Sequence, residues 1–222
     1  MDSNVVEGDR LFLIAENLAQ DFSRLPTIEA EAYGGMRGLV SRSSIARRLS
    51  ALDAMDIDTY IETVVEPAET QARPSAPSVI QVLGSIIEEE SDGPFYCATV
   101  AMDFDGEERL IGFLAQDRSI QNGTWMPQHH LAAVAFVEKC SKRAMPIVSL
   151  MDTPGAASDA EANRGNQAHS ISRLITEMSN VDVPNVGIIF GLGYSGGAIP
   201  LAASNIILSV RDGVFSTIQP KS

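Results

Sequence analysis

The sequence is short of basic residues, cysteine and histidine, and each shortage removes a class of function. Sixteen lysines and arginines stand against 29 aspartates and glutamates in 222 residues, a formal charge of −13. A field of that sign repels phosphate, so neither a broad nucleic-acid surface nor an anionic-membrane surface is expected. Two cysteines, Cys97 and Cys140, are too few for a disulfide framework or a four-cysteine zinc site. No H-E-x-x-H, paired-cysteine spacing or P-loop occurs, so no bound metal is expected. No apolar run approaches the roughly 18 residues of a membrane span. The opening MDSNVVEGDR lacks the basic-then-apolar pattern of a secretory signal. A soluble, cytoplasmic protein is the expectation. Against these absences, 45% hydrophobic and 20% charged residues make an ordinary globular composition. The length fits one large domain, or a medium one with an appendage.

Two regions differ in pattern. In residues 1–73, Leu11, Ile14, Leu18, Phe22 and Leu25 fall at helical spacing, and Pro26 ends the run. Tyr33 to Gly38 reads as a loop, and a second helix is predicted over 43–65, capped by Ser43 or Ser44. Arg42, Arg47 and Arg48 form a small basic cluster, read as a solvated helix face. The stretch 66–78, with three prolines, reads as a linker. Beyond it, 79–90 reads as a helix. Residues 95–104 and 109–117 read as strands joined by an Asp105-Gly106 hairpin turn. A helix over 128–143, a strand over 146–152, a helix over 158–179 opened by Ser158 and Glu161, and a strand over 184–191 follow. Residues 196–210 begin as a helix and end as a strand. Alternation of helices with continuously apolar strands argues for an α/β layer structure.

Two loops carry the site-like features. DTPGA (152–156) and GLGYSGGA (191–198) each put glycine where a strand gives way to a helix. There the N–H groups of the first helical turn are unpaired and the helix dipole adds positive potential. Glycine lets a substrate oxygen approach the backbone, so the pair suits an oxyanion or phosphate. Gly191-Leu192-Gly193 with Gly196 also fits G-x-G-x-x-G, but no clean second βαβ unit accompanies it. Gly193 to Gly197 fits the nucleophile elbow G-x-S-x-G, with Ser195 as the nucleophile. Its histidine base should follow the serine, whereas His129, His130 and His169 all precede it. His129 and His130 are read as surface or capping residues, Trp125 as core, and both cysteines as buried hydrophobes.

PIVSLMDTPGA, the helix ending ISRLITEMS, and VPNVGIIFGLGYSGGAI together resemble the α subunit of bacterial acetyl-CoA carboxylase carboxyltransferase. The likeness runs from about residue 145 to Ser222, and more weakly back to about 95 through DFDGEERLIGF and WMPQHH. The DTPGA and SGGA motifs, with Gln167, Ile171, Arg173 and EMS between them, carry it. The resemblance implies an α/β, crotonase-like spiral of repeated β-β-α turns over 74–222. Residues 1–73 carry no such likeness; they are read as a helical N-terminal region that docks partner subunits, since the family's N-terminal region is also helical. The implied reaction moves a carboxyl group from biotin on a carrier protein to acetyl-CoA, giving malonyl-CoA. The backbone N–H groups of Gly196 and Gly197 would hold the biotin carbonyl. Gly155, Ala156, Gly193, Tyr194 and Ser195 would shape the substrate site. A carboxyltransferase β-type subunit would supply the second oxyanion pair and most of the CoA site, and the biotin carboxyl carrier protein would be the other partner. Leu192 stands where the family has an acidic residue, Tyr194 where it has glycine, and Ala157-Ser158-Asp159 where it has Tyr-Pro-Gly. FSTIQPKS ends where the family continues into several helices, so that part of the fold is expected from another chain, or as the other product of a cleavage after Ser222. Three other readings stay open: a carboxyltransferase or decarboxylase subunit for another acyl-CoA, a non-catalytic assembly subunit of crotonase fold, and a serine hydrolase using Ser195.

Overall fold

The computed structural model describes residues 50–51, 54–70, 72–210 and 213–218. The predicted helix at 11–25, the loop at 33–38 and the basic cluster at 42–48 lie outside them. The chain divides into two compact units, Met1–Tyr60 and Ile61–Ser222. In the first, a short helix spans Ile57–Tyr60 and is capped by Asp56, whose carboxylate accepts from the Thr59 N–H and hydroxyl.

The second unit is built on a seven-stranded mixed sheet. Its strands are β1 (Ser85–Asp92), β2 (Phe95–Phe104), β3 (Glu107–Gln116), β4 (Ile147–Thr153), β5 (Asn185–Tyr194), β6 (Ile206–Ser209) and β7 (Val214–Ser216). They lie in the order β1-β2-β3-β4-β5-β6, and β7 also pairs with β5. The first three are antiparallel and the rest are parallel. Asp105 and Gly106 both have positive φ and close the predicted β2–β3 hairpin. The helices are α1 (Glu66–Thr70), α2 (Ala76–Ile80), α3 (Pro127–Lys142), α4 (Ala160–Arg164), α5 (Gln167–Asn180) and α6 (Ser195–Ala202).

Side chains alternate across β2. Phe95 and Cys97 join a core with Trp125, Val134, Leu174 and Met178, while Tyr96, Ala98 and Val100 join a second core with Ala76, Ile80 and Phe113. With both faces covered, β2 and β3 read as continuous apolar runs.

Three local expectations fail for identifiable reasons. The stretch read as a linker is structured: it holds α1 and α2, and Ser75 caps α2 by accepting from the Ser78 N–H at 3.3 Å. Ile80 is fully buried and belongs to the second core. The helix expected at 79–90 is instead mainly β1, which pairs with β2 through a turn at Gly93-Pro94. Its glutamates face solvent along the sheet edge, and Glu88 is paired there by Lys139 of α3 and by Arg143 just after it. The helix expected at 158–179 breaks at Gly165-Asn166, with Asn166 left-handed. Its cap is Asp159, not Ser158, accepting from the Ala162 N–H at 2.8 Å.

Candidate active site

The two glycine loops meet. A Cβ built on Gly197 would lie 2.6 Å from the Gly155 carbonyl carbon and 2.7 Å from the Ala156 nitrogen, so only glycine allows this approach. Gly155 itself has φ +140°, and Thr153 cinches its turn: the Thr153 hydroxyl donates to Gly155 O (2.9 Å) and accepts from Gly155 N–H (3.2 Å). Ser195 opens α6 with φ +53°, a left-handed backbone that costs a non-glycine residue roughly 1–3 kcal/mol. The sharp strand-to-helix turn leaves Ser195 exposed and Gly196 half-buried. A Cβ on Gly196 would meet only the end of the Ile171 side chain, at 3.1 Å. The start of α6 is thus open on one side, with first-turn N–H groups that the helix does not use.

Gly155, Ala156, Ser195, Gly196 and Gly197 are therefore brought together. Gly193 and Tyr194, also expected at the substrate, are drawn inward. Gly193 pairs with Phe215 of β7, and a Cβ there would lie 2.8 Å from its ring. Tyr194 is fully buried in a small cluster with Ala68, Leu192 and Val214. The Phe215 ring closes off Gly193 and the cluster encloses the Tyr194 side chain, so the tyrosine adds no bulk at the open helix start.

Sequence reasoning missed the polar groups that brace the loops. Between Met151 and Thr153, β4 advances two residues while β5 advances four, from Ile189 to Gly193. This bulge frees the Leu192 N–H from the ladder, and it donates to Asp152 Oδ1 at 3.0 Å. Arg73 completes the arrangement. Its Nε and Nη2 donate to Asp152 at 2.7 and 3.1 Å, and its Nη1 donates to Ala68 O at 2.9 Å. Asp152 is buried and the Arg73 side chain is 16% exposed. Gly191 makes room for this pair, since a Cβ there would collide with both groups. Arg118 lies 3.9 Å from Asp152 and donates to Glu69 O at 3.1 Å. Burial lowers its pKa, partly offset by Asp152. Gln116, at the end of β3, is fully buried. It accepts from Asp152 N–H at 3.1 Å and donates to Gly197 O at 2.7 Å. Asp152 was at least visible as the first residue of DTPGA; Arg73 and Gln116 carried no local signal.

The histidines are engaged elsewhere. His129 is buried, contrary to a surface reading, but it does cap α3: Nδ1 accepts from Met126 N–H at 3.1 Å while Nε2 lies 3.3 Å from Asp92. His130 Nδ1 pairs with Met126 O, and burial pushes its pKa down to about 4. His169 is exposed. Burial raises the Cys97 and Cys140 thiols to about 12 and about 11, which makes them unreactive core groups. Among the described residues no group of three or more His, Cys, Asp or Glu side chains is placed to hold a metal ion, and no helix is long and apolar enough to cross a membrane. The arrangement offers backbone donors at an open helix start, steadied by a buried polar network. That chemistry suits stabilising charge on a carbonyl oxygen.

Residues 114–222 match the family described as acetyl co-enzyme A carboxylase carboxyltransferase-like. Acetyl-coenzyme A carboxylase carboxyl transferase subunits alpha are similar to this chain. That of Cyanidioschyzon merolae is 31% identical over 124 residues, covering 52% of this chain and 40% of its own length. That of Methylobacterium nodulans is 26% identical over 214 residues, covering 87% and 66%. The chain spans about two fifths of the length of the first of these relatives. Among solved structures, the β subunit of geranyl-CoA carboxylase from P. aeruginosa superposes with a TM-score of 0.58 at 18% identity, over 74% of this chain and 32% of that one. The Pseudomonas malonate decarboxylase hetero-dimer gives 0.55 at 18% identity, over 67% of each chain. These likenesses establish an α/β fold of the crotonase-like carboxyltransferase type.

Proposed function

The chain is related to the acetyl-CoA carboxylase carboxyltransferase α subunits through residues 114–222, and on that premise we propose that it is the α-type component of a biotin-dependent carboxyltransferase. Acetyl-CoA is the proposed acceptor and malonyl-CoA the product. The observation that carries the reading is the seating of Gly197 on the Gly155–Ala156 backbone beside the open, half-buried Gly196.

The open side of Gly196 and the unused N–H groups of the α6 start fit a carbonyl oxygen better than a bulky charged group. Biotin on its carrier protein would supply the carboxyl group. The N–H groups of Gly196 and Gly197 would hold the biotin carbonyl oxygen, and Gly155 and Ala156 would form the adjoining wall. As the carboxyl group leaves, negative charge gathers on that oxygen. Donors already in place stabilise it without reorganisation and without a side-chain nucleophile. The acceptor methyl would lose a proton to the ureido nitrogen that gave up the carboxyl group; the enolate so formed would bond its carbon to the carboxyl carbon, and its oxygen needs a second donor pair. A β-type subunit is proposed to supply that pair and most of the CoA site, with residues 1–73 as a docking region. Cytoplasmic location and membership of a multi-subunit assembly belong to the same reading.

The test is reconstitution with a β-type carboxyltransferase subunit and carboxylated biotin carrier, following carboxyl transfer to acetyl-, propionyl- and longer acyl-CoAs. A kcat/KM highest for acetyl-CoA is expected. Preference for a longer acyl group would move the assignment to another acyl-CoA carboxylase, and no transfer to any would make the chain an assembly subunit.

A further inference from the structure

We propose that Gln116 is a positioning residue for carboxyl transfer: its buried amide clamps the DTPGA loop to the start of α6 and thereby sets where the Gly196 and Gly197 donors point. The proposal rests on the reading of these two loops as one reaction site.

Gln116 ends β3, one residue past the last β3–β4 backbone pair, Ala115 with Leu150. Its side chain is fully buried and reaches across two further elements. Oε1 accepts from Asp152 N–H at 3.1 Å, just before the Pro154-Gly155-Ala156 turn, and Nε2 donates to Gly197 O at 2.7 Å, within the first turn of α6. A main-chain N–H can only donate and a carbonyl oxygen can only accept, so the amide has one satisfactory orientation. The contact does more than fill space. Gly197 is already pressed against Gly155 and Ala156, so contact limits how close the loops come, while the amide limits how far they part. The same residue, Asp152, is held from its other end by Arg73 and Leu192. The clamp therefore ties α6 to the buried polar network around Asp152. Donors aimed at an oxyanion lose effect steeply with misplacement, about 100-fold for an error near 1 Å.

Glutamate and leucine separate the clamp from mere packing. Ionised, Gln116→Glu turns a carboxylate oxygen on Gly197 O and loses the donor. Protonated, it regains a hydroxyl that donates to Gly197 O while its carbonyl accepts from Asp152 N–H. Gln116→Leu keeps the bulk and can do neither. Asp152, Arg73, Asp117 and Arg118 are the charged groups around this position and remain in every variant, so the Gln116→Leu profile supplies the baseline for Gln116→Glu.

The experiment uses the reconstituted complex with carboxylated carrier and acyl-CoA, together with amide hydrogen exchange across 153–157 and 194–199. Gln116→Leu is expected to lower kcat roughly 10–100-fold with KM values within about twofold, and to speed exchange in both loops. Gln116→Glu is expected to behave like Gln116→Leu at high pH and to recover turnover relative to it as pH falls. Unchanged exchange in both variants overturns the clamp. Faster exchange with parental turnover shows that the clamp exists but overturns its role in transfer; the reading of the loops as reaction site fails separately, if the parental complex transfers no carboxyl group. A loss confined to KM, or a Gln116→Glu profile parallel to that of Gln116→Leu at every pH, also overturns the proposal.

Discussion

Gly196 and Gly197 differ in what they can tolerate, and the difference separates chemistry from packing. A methyl on Gly196 meets only the mobile end of Ile171 at 3.1 Å, while one on Gly197 strikes main chain. Gly196→Ala keeps the N–H but narrows the open side, so it is expected to lower turnover of the complex less than loss of the N–H does. Gly196→Pro removes an N–H that the first turn of a helix does not need, so the fold should tolerate it. Loss of one oxyanion donor costs about 100- to 1,000-fold in kcat. Turnover and thermal unfolding of both variants check this: equal turnover would mean that the Gly196 N–H holds nothing. A second expectation concerns His130, whose pKa of about 4 lies below its ordinary value of 6.5 because burial disfavours the cation. The unfolded chain takes up this proton first, so His130 favours unfolding progressively as pH falls from about 6.5 to about 4, and no further below that. The His129 pKa is lowered in the same direction, again by burial. Replacing His130 with phenylalanine should therefore flatten the loss of Tm between pH 7 and 4, relative to the parent. A parallel pair of curves would show that His130 does not titrate in this way. At this scale the sequence was most informative about the loop glycines, because strand-to-helix turns are punctuated by glycine. It was silent on Gln116 and Arg73, whose partners in the two loops are 36 to 81 positions away.

At the scale of elements, α2 shows why a proline-rich stretch is not always a linker. Pro77 sits in the first turn of the helix, where proline is accommodated, and the Ser75 cap fixes the entry. Five residues would not hold a helix alone; burial of Ala76 and Ile80 against β2 and β3 supplies the stability. Ile80→Ala should lower the unfolding free energy by about 2–5 kcal/mol, with an unchanged urea m-value. A true linker would give a change near zero. The same competition between local pattern and tertiary pairing explains β1. Ser-Ile-Ile-Glu-Glu-Glu suits a helix by propensity, and only its pairing with residues 95–101 makes it a strand. The elements read correctly, β2 to β5 with α3, are those whose period and turn residues agree with their tertiary setting.

Across the whole compact unit, Asp152 is where separate parts of the chain are joined. It accepts from Arg73 in the segment between α1 and α2 and from Leu192 on β5, and its own N–H donates to Gln116 on β3. The network was not legible beforehand because it depends on the β5 bulge and on the space left at Gly191, neither of which has a local pattern. Its energetics follow from burial. A paired charge in a low-dielectric interior is nearly neutral in net stability, but removing one partner strands the other and costs about 3–5 kcal/mol. Arg73→Met leaves Asp152 charged with only N–H donation and the more distant Arg118. Asp152→Asn leaves Arg73 without its carboxylate. Each single variant should be strongly destabilised in urea unfolding, and the double variant less so than the sum, with a coupling of about 0.5–3 kcal/mol. Turnover should follow the same order, because the residue that holds Arg73 also anchors the loop bearing Gly155. Additive losses in the double variant would mean that the pair contributes no mutual stabilisation. The DTPGA loop would then be held chiefly by Gln116, Thr153 and the Leu192 N–H.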